Sequence, residues 1–434
     1  MKKPFLWAAC VLATLGGATG FTALNRNLNP LPQNSNLPQK AELKLAPGFS
    51  ATIVADKLGA TRHLVVSKTG DVYVKLSKLK DGKGIIHLRD TDKNGSLDKQ
   101  TLFGDYPGTG IAIKNGYLYS ASNTGVYRYQ LNAKEEVMQP AQPEEIVKGL
   151  VAKTRDVSKS ITLDNKGNVY VTVGSPDETC FDANTGKGIM PCPLLDSVGG
   201  IWQFKTNKKN QTYRDAVHYA TGLKNVVGLN WNNQTNTLFA MMHGRGQFHD
   251  KFPQYYTPQH SAELPAETMY EIKAPGADAG WPYVYYDHKQ KKKMLTPEYG
   301  GDGKKTGGEK SLDPVAAFPA HLGPNAVLFY TGTMFPEKYR NGAFIAFHGK
   351  SSELQKGYLV AFVPFKNGKP SGDWEIFADN FAGVDLVQPT GPIQHRPSGL
   401  AQGPDGALYV SDDLGGSIFR IAYAAKKTET AKKN

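Results

Sequence analysis

The chain has 434 residues, a formal net charge of +12, and 40% hydrophobic with 10% aromatic content. That is the make-up of a globular chain, long enough for one large all-β domain or two to three ordinary ones. No heptad or long helical period is visible, so little helix is expected. The positive charge alone would suit nucleic acid, an anionic surface or an acidic ligand; the N-terminus disfavours the first.

Residues 1–24 open with MKKPFLWAACVLATLGGATG. Lys2 and Lys3 precede an apolar run and then small residues. This is the pattern of a secretory signal peptide or N-terminal anchor, too short for a stable membrane span, and it points to a periplasmic or secreted protein. Export leaves no role in binding nucleic acid. Cys10 has too little apolar sequence before it for a lipoprotein anchor. Residues 25–40 are rich in Asn, Pro and Leu and read as a linker. Residues 41–424 carry the fold, and residues 425–434 form a basic tail.

From residue 70 onward a phrase repeats: a turn, usually with Gly, then a short hydrophobic strand. It reads GDVYVKL (70–76), GYLYSAS (116–122), GNVYVTV (167–173), NTLFAMM (236–242), GAFIAFH (342–348) and GALYVSD (406–412). Six copies, spaced by about 45 to 105 residues, predict an all-β, six-bladed β-propeller. Such a ring places its ligand site at the mouth of a central channel. The last copy is expected to share its blade with N-terminal sequence.

Between the first two copies lies DTDKNGSLD. Asp90, Asp92, Asn94 and Asp98 alternate oxygen-bearing side chains about Gly95, like the front of a calcium loop, but the bidentate Glu is missing. The segment is either a Ca2+ site or a capped turn between strands. Cys180 and Cys192 flank FDANTGKGIMP. In an exported chain they read as a loop-closing disulfide; a metal pair is the alternative, without further ligands nearby. HExxH, GxSxG, Walker, Rossmann and CxxCH motifs are absent. What stands out is polar residues flanking the repeated strands: Arg62-His63, Lys224-Asn225, His243-Gly244-Arg245, His348-Gly349-Lys350 and His395-Arg396. Converging cations would hold a polyanionic ligand.

The chain also carries longer phrases, two of which hold Lys224-Asn225 and His395-Arg396: LAPGFSATIVA (45–55), ATGLKNVVGLNW (220–231), DAGWPYVYYD (278–287), FPAHLGPNAVLFYTG (318–332) and HRPSGLAQGPDGALYVSDD (395–413). In them the chain resembles the soluble quinoprotein sugar dehydrogenases, in particular the L-sorbosone dehydrogenase-like branch. The resemblance implies a six-bladed propeller that holds pyrroloquinoline quinone (PQQ) and Ca2+ at the channel mouth. It implies oxidation of a sugar, with electrons passed to an external acceptor. There a His takes the hydroxyl proton, and an Arg with Ca2+ polarises the quinone carbonyl.

Carried over by position, the match has departures. The family's H-x-x-K-S-[IL] reads DVSKSI, so Asp156 stands at the base. GLRN reads GLKN, which puts Lys224 at the quinone carbonyl with Asn225 orienting it. HGRD reads HGRG, with Gly246 for the acid, and FHGSWNR reads FHGKSSE, leaving Lys350. Arg62, His243, Arg245, Lys350 and Arg396 are the implied PQQ contacts, and backbone carbonyls of Gly244 and Arg245 the implied Ca2+ ligands. An Asp of ordinary pKa, about 3.9, is a weak base. Asp156 therefore acts in an altered setting, another His such as His63 or His243 serves instead, or the chain is a non-catalytic propeller that binds a sugar or protein partner. A lactonase would need a ring of acidic ligands that this sequence does not assemble.

Overall fold

Each copy of the repeated phrase forms the second strand of an antiparallel blade. The six are Val72–Lys80, Tyr117–Ala121, Asn168–Val173, Thr237–Met242, Ala343–Ser351 and Leu408–Asp412. They are buried on both faces over most of their length. That is why they read as continuous apolar runs rather than as alternation. The computed structural model describes residues 37–152, 155–246 and 248–424. The leader, most of the linker and the basic tail lie outside them.

The innermost strands are Thr61–Val66, Ile111–Lys114, Ile161–Leu163, Val226–Asn232, Pro324–Phe329 and Pro397–Gln402. Each lies against the next around a closed ring, and together they line the channel. The expected six-bladed propeller is the fold. Among the described residues there are two short α-helices, α1 (Phe248–Lys251) and α2 (Pro258–Glu263).

The ring closes as expected. Phe49–Ala55 pairs with Ile418–Tyr423 and completes the sixth blade from the N-terminal side. Before it, Lys44–Leu45 pairs along the edge of the fifth blade. Gln39–Lys40, the end of the stretch read as linker, already pairs with Thr52 and Ile53. The crossing is fixed by aromatic packing. The Phe49 ring meets Phe335, Tyr339 and Phe377 edge-on, with centroids 4.9, 5.4 and 5.0 Å away.

All second strands run toward one face, so their C-terminal ends gather there. Two long insertions follow on that face: residues 174–199 in the third blade and 243–266 in the fourth. Cys180 and Cys192 are bonded, with Cα atoms 6.0 Å apart, and close the first insertion into a loop. Tyr299 ties it down by donating to the Cys180 and Ile189 carbonyls at 2.6 and 3.1 Å. The hairpin of Val284–Asp287 and Lys292–Leu295 stands beside the second.

Because Phe49 is the aromatic link between the closing strand and the fifth blade, Phe49→Ala should destabilise the fold by about 3 kcal/mol. Thermal unfolding should show a lower midpoint with the native circular dichroism retained below it.

Candidate functional site

At the mouth, one carboxylate gathers partners from three blades. Asp413 follows the second strand of the sixth blade. Arg62 Nη1 donates to its Oδ2 at 3.2 Å, His348 Nε2 to the same oxygen at 2.8 Å, and Arg396 Nε to its Oδ1 at 3.0 Å. Burial by itself would raise this carboxyl; His348, Arg62 and Arg396 outweigh that and hold it below the usual carboxylate range. Arg62 also donates through Nη2 to Ser158 Oγ at 3.2 Å, while its buried Nε has no acceptor.

A second group sits between the third and fourth blades. Lys224 Nζ donates to Asp156 Oδ2 at 3.0 Å and lies 3.6 Å from Glu178 Oε2. Asn225 Nδ2 donates to Asp156 Oδ1 at 3.1 Å, and its buried Oδ1 has no donor. Asp156 holds a left-handed backbone, φ 51°, uncommon for a residue with a side chain. Gly174 makes room for this turn: a Cβ there would lie 2.7 Å from Asn225 Oδ1 and 2.8 Å from the Asp156 carbonyl. Glu178 also binds Arg155 and accepts from the Gly246 amide at 3.0 Å. Burial would raise it, but Lys224, that amide and Arg155 together lower it.

Two further imidazoles close the floor. His63 Nε2 meets the Asn325 carbonyl at 2.8 Å, and His243 Nε2 the Pro324 carbonyl at 3.3 Å. Desolvation pushes His63 down to about 4. It pushes His243 down to about 3, helped by the nearby charges of Lys224, His348 and Arg62. Those neighbours place the two groups side by side around one mouth.

The structure thus brings together Arg62, Asp156, Lys224, Asn225, His243 and Arg396. Arg245 turns away from them: Nη1 binds both Glu298 oxygens at 2.8 Å, with the guanidinium over the Phe248 ring. The Gly244 amide donates to Glu267 at 3.0 Å. Lys350 lies beyond a bulge in the second strand of the fifth blade and makes no ion pair among the described residues. The Asp90–Asp98 segment joins the third and fourth strands of the first blade, so strand direction puts it on the opposite face. Its Asp90, Asp92 and Asp98 oxygens lie within 4.8 Å of one another. Asp90 accepts from the Gly95 amide at 2.8 Å, and Asp98 from the Thr91 amide at 2.8 Å. Asp413, Glu178 and Glu267 were not singled out from the sequence. Asp413 could have been, because it leaves its second strand as His243 leaves another. Glu178 lies in an insertion that no repeat brackets.

The family described as TrAA12-like matches residues 43–424, and the chain belongs to it. It is 26% identical over 396 residues to an uncharacterised protein of Borreliella burgdorferi, covering 88% of this chain and 91% of that one. Among solved structures, the calcium structure of a Trichoderma reesei carbohydrate-active enzyme of family AA12 superposes with a TM-score of 0.71 at 18% identity, covering 90% of this chain and 100% of that one. The holo form of the PQQ domain of Coprinopsis cinerea pyranose dehydrogenase gives 0.69 at 18% identity, over 89% and 98%. At these identities the likeness is one of fold.

Two outcomes follow from the buried charges. Asp413→Asn leaves Arg62 without its counter-charge and should cost about 3–5 kcal/mol, read by chemical denaturation. The pH dependence has a definite sign. His63 and His243 are neutral when folded and take a proton below about 6.5 when unfolded, so their contribution is lost as pH falls from there toward 4. Glu267 works the other way. Burial raises it to about 7, so its share is lost as pH rises from about 4.5 to 7. Two imidazoles against one carboxyl leave net acid sensitivity over that range. The double variant His63→Gln, His243→Gln should therefore lose less thermal stability than wild type between about pH 6.5 and 4.5.

Proposed function

We propose that the protein is a sugar oxidoreductase that holds PQQ and Ca2+ at the channel mouth, oxidises an aldose or sugar aldehyde as sorbosone-type dehydrogenases do, and passes the electrons to an external acceptor. One observation carries this reading: Arg62, Lys224 and Arg396 converge with His243 and His348 on one mouth, in a chain of the TrAA12-like family. Arg62 and Arg396 share one carboxylate, Asp413, which leaves positive charge in excess for a ligand with several carboxylates, and Arg62 Nε is a buried donor still without an acceptor. The PQQ domain of pyranose dehydrogenase and the calcium structure of the AA12 enzyme support the same pair of cofactors. Residues 1–24, read as an export segment, put the activity in the periplasm or outside the cell; no helix among the described residues is long and apolar enough to cross a membrane.

In this reading Arg62 and Arg396 would hold the carboxylates of PQQ, with His243 and Lys350 beside them. Lys224, held by Asp156 and, through Asp156, by Asn225, would meet the quinone carbonyl. Lysine keeps the charge but gives up the two-pronged geometry of an arginine. With Arg245 committed to Glu298, the segment of Gly244 and Arg245 offers its carbonyls to Ca2+. PQQ supplies the two-electron acceptor when bound.

The hydroxyl proton needs a base. The position that the family gives to histidine holds Asp156, whose oxygens already accept from Lys224 and Asn225. His348 is the better acceptor. Its Nε2 proton is fixed by Asp413, and Nδ1 has no partner among the described residues. Burial, opposed by Asp413, keeps this imidazole below its ordinary pKa, so it is unprotonated at neutral pH. A carboxylate behind the ring then stabilises the imidazolium that forms.

The test is direct. Purified protein is loaded with PQQ and Ca2+, binding is followed by the change in cofactor absorbance, and aldoses are screened by dye reduction. Binding should be stoichiometric and Arg62→Ala should weaken it. His348→Gln should lower kcat by about 10^2–10^4-fold while PQQ affinity changes little. Absence of PQQ binding would overturn the reading in favour of a non-catalytic propeller.

A further inference from the structure

Beside the mouth, the insertions of the fourth blade enclose a second cavity of about 380 Å3. That is within the size range of small-molecule sites, about 300–1,000 Å3. α2 with Tyr255 and Tyr256 before it forms one side, and Tyr285, Asp287 and the hairpin turn at Lys289 and Gln290 the other. Its floor is aromatic and fixed. The Tyr256 ring lies on Phe248, centroids 4.5 Å apart and planes 25° from parallel, and its hydroxyl is 3.1 Å from that of Tyr285. Phe248 in turn carries the Arg245 guanidinium. Above the floor Tyr255 leaves 43% of its surface open.

The charged groups at this cavity are already matched. Glu263 pairs with Lys289 at 2.7 Å and with His288 at 3.1 Å. Asp287 accepts from the Lys289 and Gln290 amides, each at 2.9 Å, and from Gln290 Nε2 at 2.7 Å. His260 Nδ1 faces the Thr257 amide. What stays uncommitted among the described residues is the Gln259 amide, His260 Nε2, Gln290 Oε1 and the Tyr255 hydroxyl. An ionic ligand finds no free counter-charge. A purely apolar ligand would cover these polar atoms without pairing them, which is costly. A ligand with an apolar face and a rim of hydroxyls satisfies both.

We propose that this cavity is a second saccharide site, in which an uncharged sugar unit lies on Tyr255 and hydrogen-bonds to Gln259, His260 and Gln290. The choice of sugar over other neutral polyols rests on the oxidoreductase reading above.

The experiment uses full-length protein without PQQ, with maltotriose and cellotriose as probes in saturation-transfer NMR and calorimetry. At least one trisaccharide should bind in the millimolar range or tighter. Tyr255→Ala should weaken it by about tenfold, the weight of one aromatic contact. Gln259→Ala, a smaller exposed change, should weaken it too, while PQQ affinity and the thermal midpoint stay at wild-type values. Failure of both trisaccharides to bind, or equal affinity in both variants, would overturn the proposal even in an active sugar dehydrogenase. Binding that depends on Tyr255 in a protein that takes no PQQ would leave this site standing and remove the oxidoreductase reading instead.

Discussion

The mouth depends on the carboxylate of Asp413. Three cationic or imidazole groups from three blades end on its two oxygens. A buried charge of this kind is costly unless it is paired and hydrogen-bonded, and here each oxygen is occupied. The constraint works in both directions. Asp413 holds Arg62, His348 and Arg396 in fixed orientations, and those three groups keep Asp413 ionised. The sixth blade, which carries Asp413, is itself completed by a strand from the other end of the chain. The geometry of the mouth is therefore tied to closure of the ring.

The second group follows the same physics with different residues. Lys224 lies between Asp156 and Glu178, and Glu178 also reaches Arg155 and the Gly246 amide. Its two acids come from different connections: the approach to an inner strand and the disulfide-closed insertion. The left-handed Asp156 and the glycine that lets it approach show that this arrangement needs a specific backbone. A lysine here with an aspartate beside it is a self-consistent pair. That explains how GLKN and DVSKSI occur in one chain: the carboxylate at residue 156 meets the ammonium at residue 224.

The insertions on the mouth face do more than cover it. Arg245 is withdrawn into the Glu298 pair and stacks on Phe248, so the residue that looked like a ligand from its motif is part of the wall. The same wall has an aromatic far side. The cavity on that side keeps its charged groups paired among themselves, Glu263 with Lys289 and His288, so its open surface is aromatic and neutral-polar.

The sequence by itself determined the fold and the direction of the site. Six second strands buried on both faces must be apolar along their length, and that pattern is visible as GNVYVTV or GALYVSD without any structure. Polar residues at strand ends, His243 after a second strand and Lys224 and Arg396 before inner ones, could be marked from the same pattern. Tertiary structure alone decided the pairing. Arg62 and Asp413 are at opposite ends of the chain, and nothing local sets their contact; ring closure does. Whether Arg245 faces the mouth or Glu298 depends on an insertion with no repeat to bracket it. The Asp90 turn falls on the opposite face because strands alternate in direction, a property of the blade rather than of the turn. Spacing along the chain reports what a residue's own strand requires, and convergence on a channel depends on contacts between blades that spacing does not encode.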